Sequence, residues 1–270
     1  MTAPAAPPPA ISIATSFDYQ TPLEQQVPLI AQAGFTHLSL GAREEHSAYR
    51  SAAGRAHIMD LLRANGLRLD TIHGPRLDRP DSVRVLSEVA EAAAALGGDR
   101  ALAVVVHASP FEFPPSELAE RERAVVRTCE ALQSPAAALG VRFALENVLP
   151  GPATDLVVRV LERLDPAVFG ACYDSSHDQI GGPRSFSLLE QWRTRLIAVQ
   201  LSDRVRDFVD HVLPGEGFID WSGLAQALRQ TVFGGPLLLE VATTHSAEKD
   251  PVAFLQRASQ CARALAAAVQ

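Results

Sequence analysis

Several short apolar stretches of this chain end in a side chain that can bind a cation or carry a proton. The residues in these positions are His73, His107, Glu146, Asp174, Gln200 and Glu240. Three of them are carboxylates, and burying three carboxylates together costs free energy unless a cation lies among them or some are protonated. A bound cation is the simpler solution, so the pattern predicts a metal site used for proton transfer.

The types of ligand atom restrict which cation could bind. Carboxylate oxygens together with the amide oxygen of Gln200 favour a hard ion such as Mg²⁺ or Mn²⁺. A nearby imidazole, such as that of His177, also permits Zn²⁺ or Co²⁺. The sequence therefore predicts one divalent metal ion and leaves its identity open.

These side chains can meet only if the fold brings the ends of their strands to one face. Short β-rich apolar runs alternate eight times with longer helical patterns, which is typical of parallel βαβ construction. The predicted strands span residues 11–15, 36–40, 67–73, 101–107, 141–146, 168–174, 196–201 and 236–241. We therefore predict an α/β fold, a single (β/α)₈ TIM barrel, with an open doubly wound sheet as the alternative.

Local signals mark the ends of the predicted helices. Thr21, followed by Pro22 and Glu24, predicts a helix that begins with Thr21 as its capping residue. Gly66 and Gly140 are expected to end helices, because glycine adopts a positive φ without steric penalty. Pro135 is expected to kink or split the helix that spans residues 117–139.

Composition indicates one domain without a membrane segment. The 270 residues are 47% hydrophobic and 20% charged, which allows one large core over residues 11–270. Residues 1–10, rich in Pro and Ala, are expected to form a disordered tail. We find neither a signal peptide nor an apolar run of the roughly 18 residues that span a bilayer, so we expect a cytoplasmic protein.

The charge of the chain argues against nucleic acid as a partner. The net charge is −7, and no cluster of basic residues is visible, whereas nucleic acid binding depends on neutralising phosphates. Lys249 is the only lysine and lies in a polar segment. A Schiff-base mechanism, which needs a desolvated lysine, is therefore not expected.

The polar motifs, taken in order, resemble those of the xylose isomerase-like barrel superfamily. They are His73, His107, Glu146-Asn147, Asp174-Ser-Ser-His177, Pro214-Gly215-Glu216-Gly217 and Glu240. Each motif alone is weakly specific, but their order on successive strands is specific and covers nearly the whole chain. The superfamily includes sugar isomerases and epimerases, inosose-processing enzymes, dehydroshikimate dehydratases and endonuclease-IV-type nucleases.

The resemblance to the epimerase branch implies roles for individual residues. Glu146 and Glu240 would both bind the metal and face opposite sides of the substrate carbon, one removing a proton and the other returning it. Asp174 would be a third ligand, and His177 would contact a substrate oxygen. Arg206 would bind a hydroxyl or carboxylate of the substrate.

Two further histidines and two uncertain residues complete the prediction. His73 and His107 are expected to orient hydroxyls of a small sugar or polyol substrate. Asp203 would either orient a ligand or pair with a neighbouring arginine, and the role of His211 stays open. The resemblance also implies association into homodimers or homotetramers.

Position 200 departs from the pattern of the epimerase branch, which usually has a histidine ligand there. The carbonyl oxygen of Gln200 can still bind a hard cation, and some dehydroshikimate dehydratases use glutamine. The main prediction is an isomerase or epimerase that removes a proton α to a carbonyl through an enediolate. A metal-dependent dehydratase of the inosose or dehydroshikimate type is the first alternative.

Two other functions remain as lesser alternatives. An abasic-site endonuclease would lack two of the ligands that it needs, because Gln200 and Val209 replace them. The seven ligands that it would use are His73, His107, Glu146, Asp174, His177, His211 and Glu240. A non-catalytic barrel that binds a ligand is suggested only by the same departure at Gln200. Metal analysis would separate this last alternative from the enzymes.

Overall fold

In the described part of the chain, ten strands form a parallel sheet and a small antiparallel hairpin. The computed structural model describes residues 8–98, 100–207 and 209–270. The strands are β1 (Ile11–Ala14), β2 (His37–Leu40), β3 (Arg68–His73), β4 (Ala103–His107), β5 (Arg142–Glu146), β6 (Phe169–Asp174), β7 (Leu196–Gln200), β8 (Asp203–Arg206), β9 (Val209–Val212) and β10 (Leu237–Leu239). All eight predicted strands are present, each within a few residues of its predicted bounds.

The eight parallel strands close into a barrel. Their order is β10-β1-β2-β3-β4-β5-β6-β7, and β10 pairs in parallel with β1. Leu201, directly after β7, bridges to Leu239 in β10 and joins the two edges of the sheet. The predicted (β/α)₈ barrel is therefore confirmed, and the doubly wound alternative is wrong because an open sheet would leave these edges unpaired.

Helices surround the barrel. They are α1 (Leu23–Gln32), α2 (Glu44–Ser47), α3 (Ala52–Asn65), α4 (Ser82–Gly97), α5 (Leu118–Leu139), α6 (Pro152–Arg163), α7 (Ser175–Asp178), α8 (Ser187–Gln191), α9 (Trp221–Arg229) and α10 (Pro251–Val269). Gly66 and Gly140 follow α3 and α5 with φ of +65° and +66°, which confirms that these glycines end the helices.

The structure contradicts the predicted cap of α1 and the predicted split of α5. Thr21 does not cap α1, because its hydroxyl donates to Asp18 Oδ2 at 2.6 Å instead, and the helix begins after an extended Pro22. Pro135 neither splits nor interrupts α5, which runs unbroken through it. The buried face of α5, which packs against α4 and α6, keeps the helix continuous despite the missing amide.

The core is divided by the barrel wall. Most buried apolar side chains, such as Val104 and Val106, belong to one cluster between the strands and the helices. Because side chains alternate along a strand, Val105 points the other way and packs in a separate inner cluster with Ala144, Cys172 and Ala198. These small side chains lie inside the barrel, just below the residues at the ends of the strands.

The start of the chain reaches the barrel through backbone pairing. The predicted disordered tail spans residues 1–10, of which residues 1–7 lie outside the described residues. The carbonyl of Ala10 accepts a hydrogen bond from Leu237 N at 2.8 Å. Among the described residues, no helix combines the length and apolarity needed to cross a membrane.

Candidate metal centre

The candidate functional residues gather where the parallel strands end. His73, His107, Glu146, Asp174 and Gln200 are the last residues of β3, β4, β5, β6 and β7, and Glu240 directly follows β10. The register places His107 opposite Glu146 and Asp174 opposite Gln200. Parallel pairing therefore sets these side chains side by side around one rim of the barrel.

Glu146 lies at the centre of this group and is completely buried. Its Oε2 is 3.3 Å from His73 Nε2 and 3.2 Å from His107 Nε2, and its Oε1 is 3.1 Å from His177 Nδ1. Neither oxygen has a partner with hydrogen-bond geometry in the described part of the chain. Three imidazoles thus surround a carboxylate whose lone pairs are not satisfied by directed hydrogen bonds.

Electrostatics keep Glu146 ionised in spite of its burial. Burial raises the pKa of this carboxyl, but His107 and the other two imidazoles outweigh that effect and hold the pKa well below its usual range. Burial likewise lowers the pKa of His73, yet contact with Glu146 overcomes it and raises the pKa to about 9. Glu146 and the imidazoles of His73 and His177 therefore stabilise each other's charged forms.

Asp174 is fixed by hydrogen bonds to one of its two carboxylate oxygens. Its Oδ1 accepts hydrogen bonds from His177 N at 2.7 Å and Ser176 Oγ at 2.9 Å, because Asp174 caps α7. Asn147 fixes its backbone by donating to the Asp174 carbonyl and accepting from its amide. The buried Oδ2 has no hydrogen-bond partner among residues that the structure describes, and burial raises the pKa of this carboxyl.

Glu146, Asp174 and Glu240 can contact one common ion. Each offers a carboxylate oxygen, and these oxygens lie within 4.8 Å of one another. The unpaired Oδ2 of Asp174 and the unsatisfied oxygens of Glu146 are what a divalent cation would bind, and oxygen donors suit Mg²⁺ or Mn²⁺. The residues present therefore fit a divalent metal ion.

The hairpin of β8 and β9 brings His211 close to two of these carboxylates. His211 Nε2 lies 3.7 Å from Glu240 Oε2 and 4.0 Å from Asp174 Oδ2. On its other side, His211 Nδ1 is 3.4 Å from Asp210 Oδ1, and Asp210 pairs with Arg204 at 2.8 Å. From the sequence alone, the role of His211 stayed open and the hairpin was not predicted.

Gln200 lies at the rim, and its side-chain oxygen accepts a hydrogen bond from a neighbouring thiol. Its side chain is buried, and its Oε1 lies 3.4 Å from the Cys172 thiol, which donates to it. Burial raises the pKa of Cys172 well above its usual value, so the thiol keeps its proton. The sequence carries no signal for this contact.

Comparison with known proteins agrees with this geometry. A family model described as the xylose isomerase-like TIM barrel matches residues 27–262. The chain belongs to the xylose isomerase-like TIM barrel family. This match spans most of the chain and includes every strand-end residue of the candidate centre.

Individual relatives of this family are distant. The uncharacterized protein y4fM of Sinorhizobium fredii (strain NBRC 101917 / NGR234) is 25% identical over 258 residues, covering 82% of each chain. Protein SMc04130 from Sinorhizobium meliloti 1021 has a similar structure, with 22% identity, a TM-score of 0.75 and coverage of 94% and 98%. D-allulose 3-epimerase from Methylomonas sp., solved in complex with D-allulose, has 15% identity, a TM-score of 0.74 and coverage of 96% and 98%. These structural likenesses show a shared fold.

Within this xylose isomerase-like barrel, Asp203 anchors the hairpin instead of pairing with an arginine. Its buried carboxylate accepts hydrogen bonds from four groups: Arg204 N, Gly215 N, Ile219 N and Trp221 Nε1. The guanidinium of Arg204 turns away to Asp210 and to the Ser176 carbonyl. The motif Pro214-Gly215-Glu216-Gly217 is thus part of the turn that leads into α9.

A cavity of about 650 Å³ opens beside His177. Its walls include Phe111, Ile180, Arg184 and Arg204. The ring of Phe111 is 42% exposed and lies edge-on to His107 and His177 at 5.2 Å. Arg206, predicted to bind substrate, is exposed on the hairpin and is absent from the described walls of this cavity.

Proposed function

We propose that this protein is a divalent-metal-dependent isomerase or epimerase that removes a proton α to the carbonyl of a sugar or related polyol ketone. The observation that carries the proposal is the convergence of Glu146, Asp174 and Glu240 on one point of the rim, with their oxygens within 4.8 Å. Three carboxylates at that spacing are suited to a cation and, beside it, to proton transfer.

The residues of the rim have different roles in the proposed reaction. When bound, a divalent ion supplies polarisation of the substrate carbonyl, which makes the neighbouring proton acidic enough for a carboxylate to remove. Glu146 and Glu240 act as the base and the acid on opposite sides of the carbon. Imidazoles hold Glu146 ionised, and a carboxylate must be ionised before it can act as a base.

The surroundings suit a small hydroxylated substrate. His73, His107 and His177 present ring nitrogens around Glu146, and these nitrogens can hydrogen-bond to hydroxyls or to an enediolate. The exposed ring of Phe111 covers one side of this group and would limit access of water. The structural likeness to a D-allulose 3-epimerase supports a ketose as the first substrate to test.

Gln200 favours dehydration as the second candidate reaction. The removal of the proton is the same in both reactions, but in a dehydratase a β-hydroxyl then leaves instead of a proton returning. The resemblance stated above associates glutamine at this position with dehydroshikimate dehydratases. Inososes and dehydroshikimate therefore belong in the same substrate screen.

Solvent-deuterium exchange tests the proposal directly. The protein loaded with Mn²⁺ or Mg²⁺ is incubated in D₂O with ketoses, inososes and dehydroshikimate, and deuterium at the carbon next to the carbonyl is measured. We expect exchange that falls by at least about 1000-fold in Glu146→Gln and Glu240→Gln. Return of the proton yields an epimer or isomer, whereas dehydration yields an unsaturated product.

A matched control uses a glutamate in the same loop as Glu240. Glu248 is half-buried and accepts hydrogen bonds only from the neighbouring amides of Lys249 and Asp250 among the described residues. Glu248→Gln should keep exchange at the wild-type rate. Exchange that persists in both Glu146→Gln and Glu240→Gln, or a metal-loaded protein without exchange on any of these substrates, would contradict the proposal.

A further inference from the structure

An apolar groove leads away from the candidate metal centre, between the loops that follow β4 and β5. Its volume is about 550 Å³, within the range of about 300 to 1,000 Å³ that is usual for ligand sites. Glu112 is the one ionisable residue in its described wall. The other side chains that form the wall include Phe111, Phe113, Pro114, Leu149, Pro150 and Pro152.

The groove is continuous with the cavity beside His177. Phe111, Leu149 and Pro150 line both spaces. The ring of Phe111 stands edge-on to His107 and to His177, with 5.2 Å between the ring centres in each case. Both imidazoles belong to the group that surrounds the buried carboxylate of the centre. A substituent on a molecule held at the centre would therefore enter the groove past Phe111.

The cavity and the groove differ in polarity. Arg184, Arg204 and Asp210 line the cavity beside His177 and are absent from the described wall of the groove. Hydroxyl groups of a polyol can hydrogen-bond to such charged side chains. The two connected spaces thus fit a molecule with a hydroxylated end and an apolar end.

The groove is unsuited to hydroxyl groups. Proline has no backbone N–H and phenylalanine has no polar side-chain atom, so these walls offer few hydrogen-bond partners. A hydroxyl that leaves water without a new partner costs free energy, whereas an apolar group that leaves water gains it. An aromatic ring gains further from edge-on or offset contact with Phe rings. The wall therefore favours an aryl group.

The walls of the groove are held in place by contacts within the protein. The guanidinium of Arg121 lies 4.8 Å from the centre of the Phe113 ring. Arg121 itself pairs with Asp78 at 2.9 Å and with Glu117 at 2.7 Å. Pro152, with its fixed φ, is the first residue of α6. A ligand that binds between such side chains orders little of the protein, which lowers the entropic cost of binding.

We propose that the substrate ketone carries an aryl substituent, which binds in this groove while the hydroxylated part of the molecule occupies the metal centre. This inference rests on the proposed function and adds a second part to its substrate. Phe111 lies at the boundary, because its ring contacts the imidazoles and is still 42% exposed. Leu149 contacts the substituent from the loop after β5.

Two probes that share one polyol and differ only in the substituent test this inference. They are phenyl β-D-glucopyranoside and methyl β-D-glucopyranoside, and titration calorimetry of the full chain in the presence of Mn²⁺ measures both dissociation constants. The phenyl glycoside should bind at least about 10-fold more tightly, because its ring leaves water. Equal dissociation constants, or a phenyl glycoside that does not bind, would overturn the inference.

Two variants connect this preference to the groove. Leu149→Asn nearly keeps the volume of the side chain but places an amide in the wall, and Phe111→Ala removes the exposed ring. Each should reduce the preference for the phenyl glycoside to less than about 3-fold. A full preference in both folded variants would contradict the assignment.

Leu139→Asn is the matched control for the change at Leu149. Leu139 is 39% exposed and is the last residue of α5, which ends just before β5 begins, at the opposite end of the barrel. Leu139→Asn should keep the wild-type preference for the phenyl glycoside. Loss of the preference in this control to the same extent as in Leu149→Asn would show a general effect of the substitution and overturn the assignment to the groove.

A second copy of the chain is the other possible occupant of this apolar surface. Sedimentation velocity should give the same molecular mass for the wild type and for Phe111→Ala. An oligomer that dissociates in Phe111→Ala would show that the groove is an interface between copies, and would overturn the inference.

The outcomes for the groove and for the proposed function are distinguishable. Deuterium exchange on a free ketose, together with equal binding of the two glycosides, would overturn this inference alone. A preference for the phenyl glycoside in a protein that neither binds a divalent ion nor exchanges a proton would overturn the proposed function and leave the groove as an aryl-binding site.

Discussion

The Nε2 atom of His73 lies 3.3 Å from Oε2 of Glu146 in the buried centre of the rim. This contact raises the pKa of His73 to about 9, in spite of the opposing effect of burial. In the metal-free protein the imidazolium therefore persists through neutral pH and competes with a cation for the same carboxylate.

Mn²⁺ binding should consequently strengthen with pH. As the pH rises from about 6 to about 9, His73 loses its proton and no longer repels the ion, so the affinity should increase and binding at neutral pH should release protons. Titration calorimetry in two buffers of different ionisation enthalpy measures the protons released. His73→Asn should release fewer protons than the wild type, and equal release would contradict this account.

Asp70 in β3 should make the fold less stable at alkaline pH. Burial raises the pKa of Asp70 to about 7, and the charge of Arg100 offsets only part of this effect. A carboxyl whose pKa is higher in the folded state contributes most stability below its unfolded pKa of about 4, and the contribution is lost as the pH rises through about 7.

Asp70→Asn should remove this loss. The free energy of unfolding should exceed that of the wild type by about 1 to 4 kcal/mol above pH 7.5, and the difference should shrink toward about pH 4. Urea unfolding across this pH range measures the difference. The exposed Asp60→Asn serves as the control, and a gain for Asp70→Asn that did not depend on pH would refute the explanation.

Arg204 and Arg206 provide a matched pair on one strand of the hairpin. Arg204 is only 2% exposed and pairs with Asp210 at 2.8 Å, whereas Arg206 is exposed. Arg204→Met leaves the Asp210 charge without its partner and should lower the free energy of unfolding by about 3 kcal/mol. Arg206→Met should change it by less than about 0.5 kcal/mol.

The same pair tests the predicted role of Arg206 in substrate binding. If Arg206 binds a hydroxyl or carboxylate, Arg206→Met raises the KM of the substrate without changing stability. An unchanged KM would remove Arg206 from the set of substrate-binding residues.

Gly217 allows the turn after the hairpin to pass close to the backbone of β8. A Cβ at this position would collide with the Arg204 carbonyl and with Asp203 Oδ1, neither of which can move easily. Gly217→Ala should therefore destabilise the protein by about 1 to 3 kcal/mol, as overpacking usually does. Gly234→Ala, where no atom lies within 4 Å of the added Cβ, should be nearly neutral in the same thermal unfolding experiment.

Much of the barrel could be predicted because its signals are local. Each strand is a short apolar run, and parallel pairing alone determines that Glu146 and Asp174 reach the same rim. The end of α3 was also predictable, since Gly66 supplies the positive φ that this turn requires.

Other features depend on contacts between distant parts of the chain. Thr21 has the sequence of a helix cap, but Asp18 competes for its hydroxyl. Position 200 could be identified as a substitution, yet only the structure shows that its oxygen meets Cys172. The place of His211 depends on a positive φ in a residue other than glycine, for which the sequence carries no signal.

The four hydrogen bonds that Asp203 accepts use only groups of the protein itself. Removal of a metal ion should therefore leave the β8–β9 hairpin and the turn before α9 in place, because none of these hydrogen bonds depends on the ion. The conformational entropy of the segment is lost when the chain folds and does not reduce the affinity for an ion that arrives later. An ion bound as proposed would therefore leave and return without refolding of the hairpin that Asp203 anchors.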